Sequence, residues 1–185
     1  MAGQLAYYEA EDGPGVLAPR GWNCFEAYGS NGGSLLVAPQ PINSELVFSD
    51  NWKGFDGPAV QLSVDSGGTS GRFEVAEIIA RVFPAYKAFV TRVIAEGIEP
   101  ASSFPFGPYP KDKLIYKSNK IVEYQTPPNT DGLGTKSRLQ KNSIPISGVA
   151  ILEGADTNLI QLSARLPLDL ADLTPTIIQQ VERRF

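Results

Sequence analysis

With 185 residues, 42% of them hydrophobic and 19% charged, the chain is long enough to bury its own core and too apolar for wholesale disorder. A single cysteine, Cys24, excludes an internal disulfide and any multi-cysteine zinc or iron–sulfur centre, and the absence of histidine excludes Ser-His-Asp, Cys-His and His-zinc chemistry within one chain. The net charge of −4 is unevenly divided: residues 1 to 65 hold eight acids against two bases, and residues 111 to 141 hold seven bases against three acids. Such a division describes either solvated, mutually neutralising faces or an anion-binding face.

No apolar run reaches the roughly 18 residues of a membrane-spanning helix, so no membrane insertion is expected. The opening Met1-Ala2-Gly3-Gln4 has neither a basic n-region nor an apolar core; a signal already cleaved and replaced by a new Met would leave the same sequence. Nucleic acid is a poor partner for an acidic chain whose basic stretch forms no dense cluster. Residues 1–185 carry no internal repeat or linker and read as one soluble domain.

In chain order, residues 5 to 65 read as short strands at Leu5 to Glu9, Trp22 to Tyr28, Ser34 to Ala38, Glu45 to Ser49 and Ala59 to Asp65, with Gly- and Pro-rich turns between them. The last alternates: Val60, Leu62 and Val64 fall on one face, Gln61, Ser63 and Asp65 on the other. A helix is predicted from Phe73 to about Glu96, with Ser70 as N-cap and Gly97 as its stop. Pro84 lacks a backbone donor, which predicts a kink there or two helices meeting near Phe83. Residues 100 to 110, with four prolines and Phe104, Phe106 and Tyr109, form an aromatic loop. Hairpins follow, one turning at Ser118-Asn119 and one joining Gly148–Glu153 to Asn158–Leu166, whose Gln161, Ser163 and Arg165 are assigned outward. Thr174-Pro175 starts a short C-terminal helix. The fold class is therefore α+β, a mainly antiparallel sheet packed against one long Pro-kinked helix.

Candidate chemistry gathers in three places. The segment from Arg20 to Gly33 holds Arg20, Trp22, Cys24, Tyr28 and Asn31; Cys24 reads as a buried, inert residue of an alternating strand, since a reactive thiolate needs a neighbouring base or cation. The loop from Pro127 to Arg138 carries Asp131, Lys136, Ser137 and Arg138 with two glycines, a composition able to turn backbone N–H groups and cations toward a carboxylate, phosphate or sulfate. Its spacing departs from a nucleotide-binding loop, which excludes that ligand. Trp52, flanked by Asn51 and Asp56, could stack on a sugar ring or fold back over the core.

Ala18-Pro19-Arg20-Gly21-Trp22-Asn23-Cys24-Phe25 with Tyr28-Gly29-Ser30-Asn31-Gly32, the run Asp131 to Asn142, and Ile146 to Leu152 resemble a family of uncharacterised bacterial proteins, often predicted to be exported. That resemblance implies a periplasmic or secreted location, a cytoplasmic one staying open, and brings no activity or catalytic residue with it. Three functions stand side by side. The first is a non-catalytic binding domain whose Arg20–Gly33 and Asp131–Arg138 segments form a polar, anion-binding recess for a small molecule, anion or glycan, without cofactor or metal. The second is a histidine-free hydrolase with a carboxylate pair, acting on a glycan and drawing on acids such as Glu9, Glu11, Asp12, Glu26, Glu45, Asp50 and Asp56. The third is a protein-interaction module presenting the Phe104–Tyr109 loop.

Overall fold

The computed structural model describes residues 3–11 and 13–185. Met1, Ala2 and the acid Asp12 lie outside that range. Nine strands and four α-helices succeed one another among the described residues. They are β1 (Leu5–Tyr8), β2 (Val16–Pro19), β3 (Asn23–Gly29), β4 (Gly32–Ala38), α1 (Ser44–Val47), β5 (Ala59–Asp65), α2 (Arg72–Val82), α3 (Lys87–Ala95), β6 (Lys113–Tyr116), β7 (Ile121–Thr126), β8 (Ile146–Glu153), β9 (Asn158–Arg165) and α4 (Thr174–Arg184). Seven strands form one antiparallel sheet in the order β3-β4-β5-β9-β8-β7-β6, and β1 and β2 form a separate two-stranded ribbon. Among the described residues no helix is long and apolar enough to cross a membrane.

Chain order explains the topology. β3, β4 and β5 meander to the middle of the sheet, the chain leaves over one face as α2 and α3, and it returns at the far edge as β6. The strands β6 to β9 then meander back until β9 closes against β5, Leu62 facing Leu162. The β3–β4 turn is tight: Gly32 has φ +150°, and a side chain there would run into the Val64 carbonyl of the neighbouring strand.

Both faces of the sheet are covered. On one, Leu35, Val37, Val60, Leu62, Val149, Ile151, Ile160 and Leu162 pack beneath the β1–β2 ribbon and the Ile177, Ile178 and Val181 stripe of α4. On the other, Val122, Tyr124, Ala150, Leu152 and Leu159 meet Val75, Ile78, Ile79 and Val82 of α2 and Phe89, Val90 and Val93 of α3. This second cover corrects the outward assignment of Gln161, Ser163 and Arg165. They are 5%, 0% and 0% exposed, because the helices and the 127–143 loop roof the face that strict alternation assigns to solvent.

Four further corrections concern local structure. In place of one long kinked helix there are two, separated at Phe83 by a 3₁₀ turn over Pro84–Tyr86, as expected where proline removes a donor and crowds the preceding turn. Gly71, not Ser70, precedes α2, and the Ser70 hydroxyl instead faces that of Ser30 at 3.3 Å. Residues 45 to 49 are not a strand: Ser44–Val47 is a helical turn capped by the Asn43 side chain, which accepts from the Leu46 N–H at 3.2 Å. Cys24 is exposed, because β3 is the sheet's edge strand and its beginning has no cover.

Candidate functional site

Under the start of α2 the sheet changes character. β5 and β9 each contain the triplet Gln-Leu-Ser, at 61–63 and 161–163, and their antiparallel register sets Gln61 opposite Ser163 and Ser63 opposite Gln161. The leucines point into the core, while the four polar side chains form a buried seam on the helix-covered face. Such groups cost stability unless hydrogen-bonded, and the structure supplies partners. Gln161 Nε2 donates to the Leu133 carbonyl at 3.1 Å and to the Tyr124 hydroxyl at 3.2 Å. Tyr124 OH lies 2.7 Å from both Ser163 Oγ and the Leu162 carbonyl, and burial pushes its ionisation up to about 12. Gln61 Oε1 accepts from the Arg138 N–H at 2.6 Å.

The seam glutamines thus hold the 133–138 segment against the sheet. Asp112 fixes its other end: one carboxylate oxygen accepts from the Leu133 N–H and the other from Thr126 Oγ1, each at 2.8 Å. Burial raises the Asp112 carboxyl, with these two hydrogen bonds opposing it. Thr126 Oγ1 accepts in turn from the Gly134 N–H at 3.0 Å, and Gly134 packs so closely on Ile146 that no side chain would fit. Most of the backbone N–H groups of this segment are engaged. The N–H groups of Gly132, Leu133, Gly134, Thr135, Ser137, Arg138 and Leu139 all donate to partners inside the protein.

Between this segment and α2 opens a recess of about 210 Å³, floored by Ser34, Gln61, Ser63 and Gln161 and walled by Asp65, Glu74, Glu77, Asn31, Lys136, Ser137 and Arg138. Asp65 ends β5, and Glu74 and Glu77, three positions apart on the first turns of α2, share one helical face above it. Burial pushes the Asp65 carboxyl up to about 7, and the nearby charge of Glu74 adds to the effect. Glu77 is ion-paired with Lys136 across the recess. Burial lowers the proton affinity of Lys136, and the Glu77 hydrogen bond and charge more than reverse this, with a net rise. Arg138 is exposed and its guanidinium lies 5.7 Å from the centre of the Trp52 ring. Among the described residues no group of three or more acids and thiols is placed to hold a metal ion.

Of the residues singled out from sequence, Asn31, Lys136, Ser137 and Arg138 line this recess, and Trp52 touches it only through Arg138. Trp52 sits edge-on to Phe55, 5.3 Å between ring centres. The others lie elsewhere. Arg20 donates to the Gly3 and Leu5 carbonyls and ties the β1–β2 ribbon together. Trp22 packs against the core beneath that ribbon, Tyr28 stands exposed near the β3–β4 turn, and Asp131 pairs with Lys141 at the surface. Sequence reasoning missed Gln61, Ser63, Asp65, Glu74, Glu77 and Gln161. The signal that reveals them is the repeated Gln-Leu-Ser triplet, on two strands apolar enough to lie at the sheet's centre.

Arg165 supports the recess from one side. Fully buried, it donates to the Phe55 and Gly57 carbonyls at 2.6 and 2.5 Å and to that of Gln140, and so joins the 53–57 loop to the strand-like run after Arg138. A larger cavity of about 450 Å³ lies on the opposite face between α4 and β7–β8, lined by Ile144, Leu166, Leu168, Pro175 and Ile178 with Glu123 at its margin. Its polar lining includes Lys113, Glu123, Gln125, Ser147, Thr174 and Gln179, with Gln125 Nε2 donating to Ser147 Oγ at 3.3 Å. Compared with family models, curated proteins and solved structures, the chain matches none.

Proposed function

We propose that this protein binds a small, neutral, hydroxyl-rich molecule, of monosaccharide size or less, in the recess between β5, β9 and α2. The observation that carries the reading is the placement of Gln61, Ser63 and Gln161 on the helix-covered face of two central strands, where apolar side chains would stabilise the fold better. Amides, hydroxyls and carboxylates set side by side both donate and accept, as a polyol requires. An anion fits less well. Three carboxylates face two cations, Lys136 is already neutralised by Glu77, and the loop amides are engaged. The volume of about 210 Å³ sets the size limit. The resemblance to exported bacterial proteins supports a setting outside the cytoplasm, which fractionation of the producing cell tests.

A thermal-shift and calorimetric screen of neutral sugars and polyols against phosphate, sulfate and acetate tests the proposal. Saturation at a hundred times Kd adds about 2.7 kcal/mol of stability, which for a chain this size is roughly 5–10 °C in Tm. Glu74→Gln, at the exposed rim, weakens the effect without unfolding the protein. A response to the anions alone overturns the reading.

One observation favours a second reading, a glycan hydrolase. A carboxyl poised near neutrality beside another carboxylate is what a general acid and its partner require. Asp65 would protonate the leaving oxygen while Glu74 served as base or nucleophile. Multiple turnover on aryl glycosides, with kcat/KM falling as pH rises through about 7 and lost in Asp65→Asn, selects this reading.

A further inference from the structure

A second recess, farther along α2, has opposite electrostatics. It occupies about 270 Å³ in the elbow where α2 gives way to α3, and its walls are Ile79, Phe83 and Pro84 from the elbow, Phe106 to Pro108 from the aromatic loop, and Tyr116 from the edge strand β6. Its charged groups are Arg81 and Lys87, with no carboxylate in the lining. Among the described residues neither cation belongs to an ion pair, whereas Arg72, Lys117, Lys136 and Lys141 each do.

Both cations are held in place by aromatic rings. The Arg81 guanidinium lies 4.2 Å from the centre of Tyr109, and the Lys87 ammonium 5.0 Å from that of Phe106. One Arg81 Nη donates to the Gly107 carbonyl at 3.2 Å, but Nε is buried and meets no acceptor. A buried charged donor without a partner costs stability. Phe106 is about half exposed although it forms a wall, so an apolar surface stands open beside the two charges.

We propose that the α2–α3 elbow binds a carboxylate carried on a compact apolar body, an arene or short acyl chain, with the carboxylate between Arg81 and Lys87 and the body against Phe83, Pro84 and Phe106. Arginine offers a planar fork to a carboxylate and lysine a point charge, which together fix one end of the ligand. The apolar walls fix the other end and disfavour a bare inorganic anion, whose full hydration they cannot replace. The residues that line this site and the polar recess do not overlap, although Lys136 of the recess and Arg81 of the elbow both meet Tyr109.

Titration of the isotope-labelled protein by NMR with benzoate, benzamide and acetate tests the assignment. Benzoate shifts the amide signals of Lys87, Phe106 and Gly107; benzamide, which keeps the ring and loses the charge, and acetate, which keeps the charge and loses the ring, each bind about tenfold more weakly or worse. Lys87→Gln, an exposed change that leaves the fold intact, weakens benzoate about tenfold and leaves benzamide unaffected. Four results would overturn the proposal: equal binding of benzoate and benzamide, acetate matching benzoate, unchanged benzoate affinity in Lys87→Gln, or no elbow shifts at about 10 mM benzoate, where a ligand of millimolar Kd is near saturation.

Discussion

Replacing Asp65 by Asn probes the polar recess most directly, because the two side chains have nearly the same shape and only one ionises. In the folded protein the Asp65 carboxyl titrates at about 7, against an ordinary 3.8, chiefly through burial and secondarily through Glu74. The folded state therefore holds this proton more tightly than the unfolded chain does. The stability it contributes is complete below pH ~4 and is lost progressively as pH rises through about 7. At 1.36 kcal/mol for each tenfold change in proton affinity, the gap amounts to ~4 kcal/mol, an upper value that local relaxation and water would reduce to about 2–4 kcal/mol. The asparagine of the Asp65→Asn variant cannot ionise and escapes the penalty. Urea unfolding of both proteins from pH 4 to pH 8 should show near-equal stability at the acid end and a gain for Asp65→Asn of about 2–4 kcal/mol at the alkaline end, roughly 2–4 °C in Tm per kcal/mol. A difference independent of pH, or a variant less stable than the parent at pH 8, would refute the burial argument and with it the place of Asp65 in the recess.

Arg165→Met should cost about 3 kcal/mol or more in urea unfolding, since it deprives the carbonyls of Phe55, Gly57 and Gln140 of their donor in a buried site; a loss below about 1 kcal/mol would show that the loop holds itself. Gly148→Ala is expected to abolish the native fold or lower Tm by at least roughly 10 °C, because its added carbon would overlap the Leu162 carbonyl and crowd the Tyr124 ring; a folded variant of unchanged Tm would contradict the β8–β9 register. Cys24 should react with a water-soluble disulfide reagent in the native protein within about tenfold of its rate in urea, and protection by orders of magnitude would contradict its exposure on the edge strand.

Much of the fold is legible in the residues. The Val60-Leu62-Val64 alternation locates β5, Pro84 divides α2 from α3, and Gly97, with φ +68°, ends α3 as a helix-stopping glycine does. These features are local, resting on a period of two, a missing donor or a positive φ. The recess is another matter. Asn31, Lys136, Ser137 and Arg138 stood out in the sequence through their polar, glycine-rich surroundings, yet what they face depends on Asp65, Glu74 and Glu77, which belong to other elements. The β2 strand and the exposure of Cys24 likewise depend on what packs against each segment and on what does not.

The chain by itself therefore determined the absence of imidazole and paired thiols, the elbow at Pro84 and the alternation of its central strands, since each is a property of neighbouring residues. Tertiary structure alone decided that the polar half of that alternation is covered. A strand's period of two separates two faces without saying which meets solvent, and only the passage of α2 and the 133–138 segment over β5 and β9 encloses the glutamines, serines and Asp65 in a recess.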